Sequence, residues 1–340
     1  MNSSISNSES KENRRKTSPV RKNGKRVAGV VVLFFLLLEV FTRTKLMRMS
    51  KDMVRFADYP AQATALAQSS GMRVAFVGNS AVQRGVNPDL VAGESGGLPL
   101  HHAMFLADSS YITTWHYMLK RYLWTPGKRV DLIVVTFYER NMEDGHPDDI
   151  GRMAQFFTTP DDWGDVLQTD LPEFSHRTEF LISSFWATYA VRDRLKERIL
   201  GAITPTYKEY TQKINTLAFE RNAKPQIENH TASYRALQRL IDMAKRHGTP
   251  LCFVAFPTYE PSRSSSYPLA PEMLRLIRAA KMDFLDFRIV AGLTPKHYAD
   301  GIHLTPEGAK IYTRALMSQL TPVLRSMHSD SPHGNAISPQ

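Results

Sequence analysis

The stretch Val130–Tyr138 (VDLIVVTFY) sets β-branched and aromatic residues side by side, with no polar alternation after Asp131. A strand with one face in water alternates apolar and polar residues, whereas a strand covered on both faces is a continuous apolar run. Thr249–Pro257 (TPLCFVAFP) has the same character, and Cys252 within it is a small apolar residue of the strand. Both runs therefore predict central strands of a parallel sheet with helices on both faces.

Three further stretches have the length and composition of strands: Arg73–Gly78, the weaker Leu98–Phe105, and Met282–Ile289. Helical patterns precede the last three predicted strands, and Gly248 ends the helix before Thr249. The sequence thus predicts an α/β fold. We expect a three-layer, flavodoxin-like parallel sheet of about five strands, with helices on both faces and a helical insertion, preceded by one N-terminal transmembrane anchor.

The net charge of +10 is concentrated near the amino terminus of the 340-residue chain. Residues 1–58 contain thirteen Lys or Arg and five Asp or Glu, so the rest of the chain is close to neutral. A nucleic-acid-binding domain presents a basic surface on its folded part. We therefore expect no nucleic-acid partner. Residues 1–26, rich in Ser, Asn, Lys and Arg, are expected to form a disordered basic tail.

The basic residues flank the apolar segment Val27–Phe41 (VAGVVVLFFLLLEVF). A spanning helix needs about 20 mostly apolar residues and a signal-peptide core about 7–15. No small-residue cleavage site follows Phe41. We expect an uncleaved transmembrane signal anchor, with a cleaved signal or a buried helix as alternatives. Eight basic residues precede the segment and five follow it closely, so the positive-inside rule favours a globular part outside the cytoplasm, periplasmic or at the cell surface.

Glu39 lies within the apolar segment. A carboxylate that faces lipid is energetically costly. Glu39 therefore either contacts a membrane partner or marks the end of the span.

Behind the anchor, residues 42–69 are expected to form a juxtamembrane helical connector. The main domain is predicted over 70–325, and the Ser-, Pro- and His-rich segment 326–340 is expected to be a disordered tail.

Within that domain, residues 142–229 lack strand patterns and are predicted to be a helical insertion that caps the functional edge of the sheet. Its clearest element is one amphipathic helix over Glu179–Leu200. The aromatic residues Phe185, Trp186 and Tyr189 either pack in the core of that helix or form a platform for a sugar ring.

Two polar stretches contain a candidate catalytic constellation. Ser80 follows the first predicted strand in Gly78-Asn79-Ser80, and Asp300 and His303 lie three residues apart just before the last predicted helix. A serine hydroxyl needs a base to take its proton, and a histidine base needs a carboxylate to fix its tautomer. Because the carboxyl ends of parallel strands meet at one edge, these three residues are expected to form a catalytic triad. Each of them alone would also suit an ordinary turn.

These residues resemble the motifs of a known family. Val74–Gly85 (VAFVGNSAVQRG) followed by Asp300–Tyr312 (DGIHLTPEGAKIY) is similar to the SGNH (GDSL-like) hydrolase superfamily. It more closely resembles the membrane-anchored branch that includes the alginate O-acetylation proteins and the D-alanyl transfer protein of teichoic acids. The resemblance covers residues 70–325 and is specific at its two ends. It implies that Ser80 is the nucleophile and that the Asp-x-x-His motif supplies the base and its carboxylate.

The middle motifs of that family match less well. The oxyanion-hole asparagine of the family follows the third strand, where Asn141 is the nearest match, but the usual Gly-x-Asn-Asp is absent. The glycine motif of the family would fall near Leu106–Tyr111, which contains no glycine, and the usual Asp before the nucleophile is Asn79 here. The resemblance implies an oxyanion hole made by the backbone N–H of Ser80 and the side chain of Asn141.

No cofactor and no metal ion are expected. His101, His102 and Asp108 are close in sequence, but no ligand spacing typical of a metal site recurs. His297 is expected to have a structural or substrate-facing role.

Three classes of function are compatible with the sequence. The first is a membrane-anchored, extracytoplasmic serine esterase or O-acyltransferase whose substrate is an acylated cell-surface or exported polysaccharide, or another ester. The second is a non-catalytic accessory protein that keeps the fold and partners a membrane-bound O-acyltransferase. The third is a cytoplasm-facing lipase or thioesterase, which needs the opposite orientation. Hydrolysis and transfer share an acyl-enzyme and differ in whether water or a sugar hydroxyl attacks it.

Overall fold

The computed structural model describes residues 19–145, 149–204, 206–207, 209–210, 232–261 and 266–329. Its centre is a five-stranded, fully parallel sheet in the order β2-β1-β3-β4-β5. The strands are β1 (Met72–Gly78), β2 (Leu100–Leu106), β3 (Leu132–Phe137), β4 (Leu251–Ala255) and β5 (Asp283–Asp286). Each strand lies at a stretch predicted from the sequence, so the predicted α/β fold with a parallel sheet is confirmed.

Within the described residues, helices connect and flank the strands. The α-helices are α1 (Pro19–Phe41), α2 (Lys51–Gln68), α3 (Ser80–Gly85), α4 (Pro88–Gly93), α5 (Ile112–Tyr122), α6 (Ile150–Arg152), α7 (Trp163–Asp165), α8 (Phe174–Phe185), α9 (Ala187–Ala190), α10 (Arg192–Ile203), α11 (Arg235–Arg246), α12 (Pro271–Ala279) and α13 (Pro306–Ser329). Short π-helical turns lie at Thr42–Leu46, Met153–Phe157 and Val166–Asp170, and 3₁₀ turns at Met47–Met49, Pro160–Asp162 and Pro295–His297.

The helices cover both faces of the sheet in three layers. Ile133 and Val135 of β3 belong to the core that includes α2, α5, α11 and α12, whereas Leu132 and Val134 belong to the core that includes α3, α4 and α13. Successive side chains of a strand point to opposite faces. A strand buried on both faces must therefore be apolar at every position, which is the physical reason for the uninterrupted run in the sequence.

Helix α1 is long and apolar enough to span a membrane. The candidate span covers the 23 residues Gly24–Leu46. At about 1.5 Å per residue, its length is close to the roughly 30 Å hydrocarbon core of a bilayer. The helix begins at Pro19, inside the segment 1–26 that is expected to be disordered. The described helix therefore overlaps the last residues of the segment for which the sequence predicts a disordered tail.

Both chain ends are only partly covered by the structure. Residues 1–18 and 330–340 lie outside the described residues. Helix α13 continues to Ser329, past the start of the tail expected at 326–340, because its inner face stays packed on the sheet as far as the buried Leu324.

The segment 42–69, expected to be a connector, is part of the folded core. Helix α2 fully buries Phe56 and Tyr59. The Tyr59 hydroxyl donates to the carbonyl of Leu106 (2.5 Å) and accepts the backbone N–H of the same residue (2.7 Å). Leu106 is the last residue of β2. The candidate membrane span is thus joined to the sheet by a helix that packs on it.

The described part of the predicted insertion 142–229 is helical, but the single helix predicted over Glu179–Leu200 is three helices, α8, α9 and α10. The first break is at Trp186, whose backbone is extended, and the second is at Val191. The Glu39 carboxylate accepts the backbone N–H groups of the first two residues of α9, at 2.8 and 2.9 Å. These N–H groups have no partner within their own helix, so the bond from α1 stabilises the break. Residues 211–231 lie outside the described residues.

Candidate active site

Ser80 is the first residue of α3, directly beyond the carboxyl end of β1. The turn that presents it needs Gly78, because a Cβ at that position would lie 2.4 Å from Cγ2 of Val82. Asn79 caps the helix, and its Oδ1 accepts the N–H of Ala81 at 3.1 Å. The chain therefore holds Ser80 at the sheet edge where open α/β folds place their ligands.

Asp300 and His303 lie on one tight turn between β5 and α13. Oδ1 of Asp300 accepts the backbone N–H groups of Ile302 (2.9 Å) and His303 (2.8 Å). Its Oδ2 lies 2.7 Å from Nδ1 of the His303 ring. The carbonyl of His303 accepts the N–H of Ala299 at 2.8 Å, which closes the turn. The carboxylate thus orients the imidazole from within the same turn.

This turn is fixed to the loop that follows β4. The N–H of Tyr259 donates to the carbonyl of Gly301 at 2.8 Å. A Cβ on Gly301 would lie 2.9 Å from the Tyr259 carbonyl oxygen, so glycine permits the close approach of the two backbones. The rings of Tyr259 and Tyr298 also pack together, with centroids 5.7 Å apart. The position of the imidazole is therefore set by two loops and not by one.

The fold brings the three predicted residues together. Nε2 of His303 lies 2.8 Å from Oγ of Ser80. An ionised carboxylate only accepts hydrogen bonds, so Nδ1 of His303 carries the ring proton and Nε2 is left to accept from the Ser80 hydroxyl. Hydrogen bonds between a nucleophile, its base and the orienting carboxylate are about 2.6–3.2 Å long. The arrangement has the geometry needed to deprotonate the serine.

The electrostatics of Asp300 suit this role. Partial burial raises the pKa of Asp300, but the hydrogen bonds from the His303 side chain and from the backbone N–H groups of His303 and Ile302 outweigh it and lower the pKa below its usual value. The carboxylate therefore stays ionised near neutral pH and accepts the ring N–H.

Asn141 lies in the loop after β3 and is bonded to the residue that precedes Ser80. Its side chain is buried, and its Oδ1 accepts the backbone N–H of Tyr138 (3.0 Å) and Nδ2 of Asn79 (3.3 Å). The oxygen and nitrogen of an amide point in different directions, so these two bonds leave the Nδ2 donor of Asn141 for another acceptor. No local sequence signal reveals the bond between Asn79 and Asn141, whose positions differ by 62.

Two non-glycine residues with a left-handed backbone flank Ser80. Ser109 after β2 has φ 50° and Glu139 after β3 has φ 46°, and these two strands are the neighbours of β1. This conformation costs roughly 1–2 kcal/mol in a non-glycine residue and persists only where the surroundings hold it. The family resemblance would place a glycine motif in Leu106–Tyr111, which contains no glycine. Ser109 in this segment adopts a left-handed φ of the kind that glycine favours.

A cleft of about 530 Å³ opens beside the loop that follows β3, and its lining does not include Asn141 or the Ser80, Asp300 and His303 side chains. Its lining includes Tyr111 and Arg140, from the loops after β2 and β3, and Asp170 from the insertion. The carbonyl of Asn141 accepts the N–H of Ile112 at 2.9 Å, which joins the two loops at the mouth of the cleft. Charged and hydroxyl side chains around such a space offer donors and acceptors to a hydroxyl-rich ligand.

The remaining residues noted in the sequence are not part of this site. Nδ1 of His297 accepts the backbone N–H of Thr294 at 3.0 Å and so closes the short 3₁₀ turn Pro295–His297. The His297 ring therefore has a structural role. His101 and His102 lie on β2, which is an edge strand of the sheet, whereas Asp108 pairs with Arg55 of α2 at 3.2 Å. Among the described residues, no group of three or more His, Cys, Asp or Glu side chains could hold a metal ion.

Comparison with known proteins gives a likeness of fold only. No family model matches the sequence, and no curated protein matches it. Among solved structures, the chain is similar to a variant of an acetyl xylan esterase from Geobacillus stearothermophilus, with 11% identity, a TM-score of 0.37, and coverage of 75% of this chain and 96% of that chain. It is also similar to a second variant, described as an acetyl-xylooligosaccharide esterase, with 12% identity, a TM-score of 0.37, and coverage of 74% and 94%. A likeness at this level carries no argument about the reaction.

Asp300→Asn is predicted to lower the stability of the folded chain only where the carboxylate is ionised. The pKa of Asp300 is lower in the folded chain than its usual value. Its stabilisation is thus complete above the unfolded-state pKa of about 3.9 and is lost as the pH falls through the folded-state pKa. The thermal unfolding midpoint of the unmodified chain should exceed that of the variant by a constant amount above about pH 5, and the gap should close below about pH 4. A gap that stays the same down to about pH 2 would contradict this prediction.

Proposed function

We propose that this chain is a membrane-anchored, extracytoplasmic serine esterase or O-acyltransferase in which Ser80, His303 and Asp300 form a catalytic triad. The observation that carries the proposal is the relay of two hydrogen bonds, 2.7 Å between Asp300 and His303 and 2.8 Å between His303 and Ser80. A serine at the end of a strand is by itself an ordinary turn residue. A serine bonded to an imidazole that a carboxylate orients is the arrangement that activates a nucleophile.

The reaction begins when Oγ of Ser80 attacks the carbonyl carbon of an ester. Nε2 of His303 takes the hydroxyl proton, and Asp300 stabilises the imidazolium that forms. When the tetrahedral intermediate collapses, the ester C–O bond breaks and Nε2 returns the proton to the leaving alkoxide. The acyl group remains on Ser80. Water or a sugar hydroxyl then attacks the acyl-enzyme and gives its proton to Nε2. The bond between the acyl group and Oγ of Ser80 breaks, and Nε2 returns the proton to Oγ.

The developing oxyanion needs hydrogen-bond donors in place before the reaction. The backbone N–H of Ser80 is at the N-terminus of α3 and has no acceptor within that helix. Nδ2 of Asn141 is the second proposed donor, because Oδ1 of the same amide is already held by Tyr138 and Asn79. These two groups are the proposed oxyanion hole.

The proposed substrate is an acyl group on a cell-surface or exported polysaccharide. The cleft next to the loop of Asn141 has room for such a substrate, and the exposed guanidinium of Arg140 lies in its lining. The resemblance of the Ser80 and Asp300 motifs to the membrane-anchored SGNH branch supports the same substrate class. Helix α1 would hold the domain next to a membrane-bound O-acyltransferase as partner.

Ser80→Ala is predicted to abolish labelling of the full chain by a fluorophosphonate probe and to lower ester turnover by at least about 10³-fold, since it removes the nucleophile. Labelled peptide mapping by mass spectrometry and hydrolysis of a 4-nitrophenyl acyl ester measure the two effects. Ser318→Ala is the matched control, because Ser318 is exposed on α13 and bonds only to the carbonyl of Ala315. Equal labelling and turnover in Ser80→Ala would exclude Ser80 as the nucleophile, and an unmodified chain with neither activity would support the non-catalytic accessory role.

Asn141→Asp is predicted to lower kcat by about 10²–10³-fold, the usual effect of losing one oxyanion donor. The aspartate keeps an oxygen for the N–H groups of Tyr138 and Asn79 but has no Nδ2 donor. Comparison with Asn141→Ala, which removes both functions, separates the donor from the acceptor role. If Asn141→Asp keeps full kcat while Asn141→Ala unfolds or loses activity, Asn141 only supports the loop.

The proposed orientation puts the sheet outside the cytoplasm and can be tested with the single cysteine of the chain. Cys252 is buried, so the unmodified chain should not react with a membrane-impermeant maleimide. Ser318→Cys places a thiol on the exposed side of α13, and this variant should be labelled in intact spheroplasts. Labelling only after the membrane is permeabilised would instead support the cytoplasm-facing lipase or thioesterase.

A further inference from the structure

The end of α1 is bonded to the helical insertion through the side chain of Glu39. Its carboxylate accepts the backbone N–H groups of Ala187 and Thr188 (2.8 and 2.9 Å) and the Thr188 hydroxyl (2.9 Å). It also pairs with Arg43 at 2.7 Å. Glu39 therefore has partners within its own chain. Neither a membrane partner nor the end of the span, the two explanations considered from the sequence, is needed to account for a carboxylate at this position.

Other contacts hold the same part of the insertion against α1. The rings of Phe35 and Trp186 meet edge to face, with centroids 5.4 Å apart. Nη2 of Arg43 donates to the carbonyl of Phe185 at 3.2 Å. Phe35 precedes Glu39 by one turn, about 6 Å along the axis. Trp186 thus lies beside the apolar part of the candidate span and not beyond its end.

Next to these contacts, α8 exposes an apolar face. Leu181, Ile182 and Phe185 lie within one turn of each other on its outer side and are exposed, Phe185 to 71%. Phe180 and Ser183, on the opposite side of α8, are buried in the domain. The helix is therefore held by one side and presents apolar side chains on the other.

Exposed large apolar residues are concentrated in two places of the described chain, α1 and the insertion. Among the described residues outside these two places, the exposed large apolar residues are Val54 and Ile289. A contiguous exposed apolar patch marks an interaction site. The patch on α8 is continuous with the apolar surface of α1, and aromatic residues such as Trp186 are enriched where a membrane meets water.

We propose that Leu181, Ile182, Phe185 and Trp186, here called the membrane-facing patch, insert into the bilayer that holds α1, on the side of the domain. Lipid is the occupant that fits, since the patch adjoins a helix whose apolar side chains are exposed all around. The domain would then rest on the membrane at two contacts, α1 and the patch, with a set orientation. This inference rests on the proposed anchoring by α1 but not on the esterase chemistry.

Single cysteines placed by Ile182→Cys and Phe185→Cys in the full chain can carry a nitrobenzoxadiazole label, since Cys252 is buried. The labelled proteins are reconstituted in phosphatidylcholine–phosphatidylglycerol vesicles with or without lipids that carry a nitroxide on the acyl chain. Ile289→Cys is the matched control, because Ile289 is 80% exposed and lies outside the patch. We expect a blue-shifted emission and loss of most fluorescence to the nitroxide at positions 182 and 185, and little loss at 289.

Quenching at 182 and 185 no greater than at 289, in protein that floats with the vesicles, would overturn the patch while leaving the anchor in place. Failure to float would remove the anchor and the patch together, and fluorophosphonate labelling of Ser80 in the same samples reports on the enzyme separately. Access of a water-soluble quencher to positions 182 and 185 in pure lipid vesicles would mean that a protein partner covers this face instead.

If the cysteine variants fold poorly, intrinsic fluorescence provides a second measurement. The ring of Trp163 contacts that of Phe185 in the patch, with centroids 5.2 Å apart, so a Trp163→Phe chain is the reference protein. Brominated lipids should quench part of its tryptophan emission, and adding Trp186→Phe should remove that part, because Trp115 and Trp124 are buried in the domain. Equal quenching with and without Trp186 would count against the patch.

Discussion

Burial of the central sheet on both faces is the constraint on which the rest of the structure depends. Helices cover both sides of β1, β3 and β4, so the polar loops that follow these strands collect at one edge. Ser80 follows β1, Asn141 follows β3, and Tyr259, which holds the turn of Asp300, follows β4. The candidate site is therefore assembled from consecutive strand ends, and rigid strands set the distances between its parts.

Asn79 connects the elements of this edge. Its Oδ1 caps α3 through the N–H of Ala81, and its Nδ2 reaches Oδ1 of Asn141 in the next loop. An aspartate at this position could cap the helix equally well but has no N–H to donate to Asn141. The amide of Asn79 can therefore donate to Asn141, which an aspartate at the same position could not do. In the proposed mechanism it also leaves Nδ2 of Asn141 as a donor, so the cap of α3 and the oxyanion hole depend on the same Asn79 side chain.

The contact between Glu39 and α9 links the candidate membrane span to the helical insertion. A carboxylate in an apolar segment is costly unless it is bonded, and the N-terminus of a short helix satisfies it. The same bond explains why the insertion breaks at Trp186 and why α8 ends beside α1. Together with the packing of α2, where Phe56 and Tyr59 are buried, it means that the span joins the domain through packed contacts and not through a free linker.

The sequence by itself determined the class of fold and the three residues of the relay. Uninterrupted apolar runs can be satisfied only by burial on both faces, and Asp300 and His303 are joined within one turn, so these two features are encoded locally. The bond between His303 and Ser80 joins positions that differ by 223, and it forms because both lie at the same edge of the sheet. The bond between Asn79 and Asn141, the burial of α2, and the break of the helix predicted over 179–200 were decided only by the tertiary structure. These features depend on partners far apart in the chain, with 148 positions between Glu39 and Ala187. The local pattern of 179–200 is satisfied equally well by one amphipathic helix, because it contains no information about a carboxylate that approaches from α1.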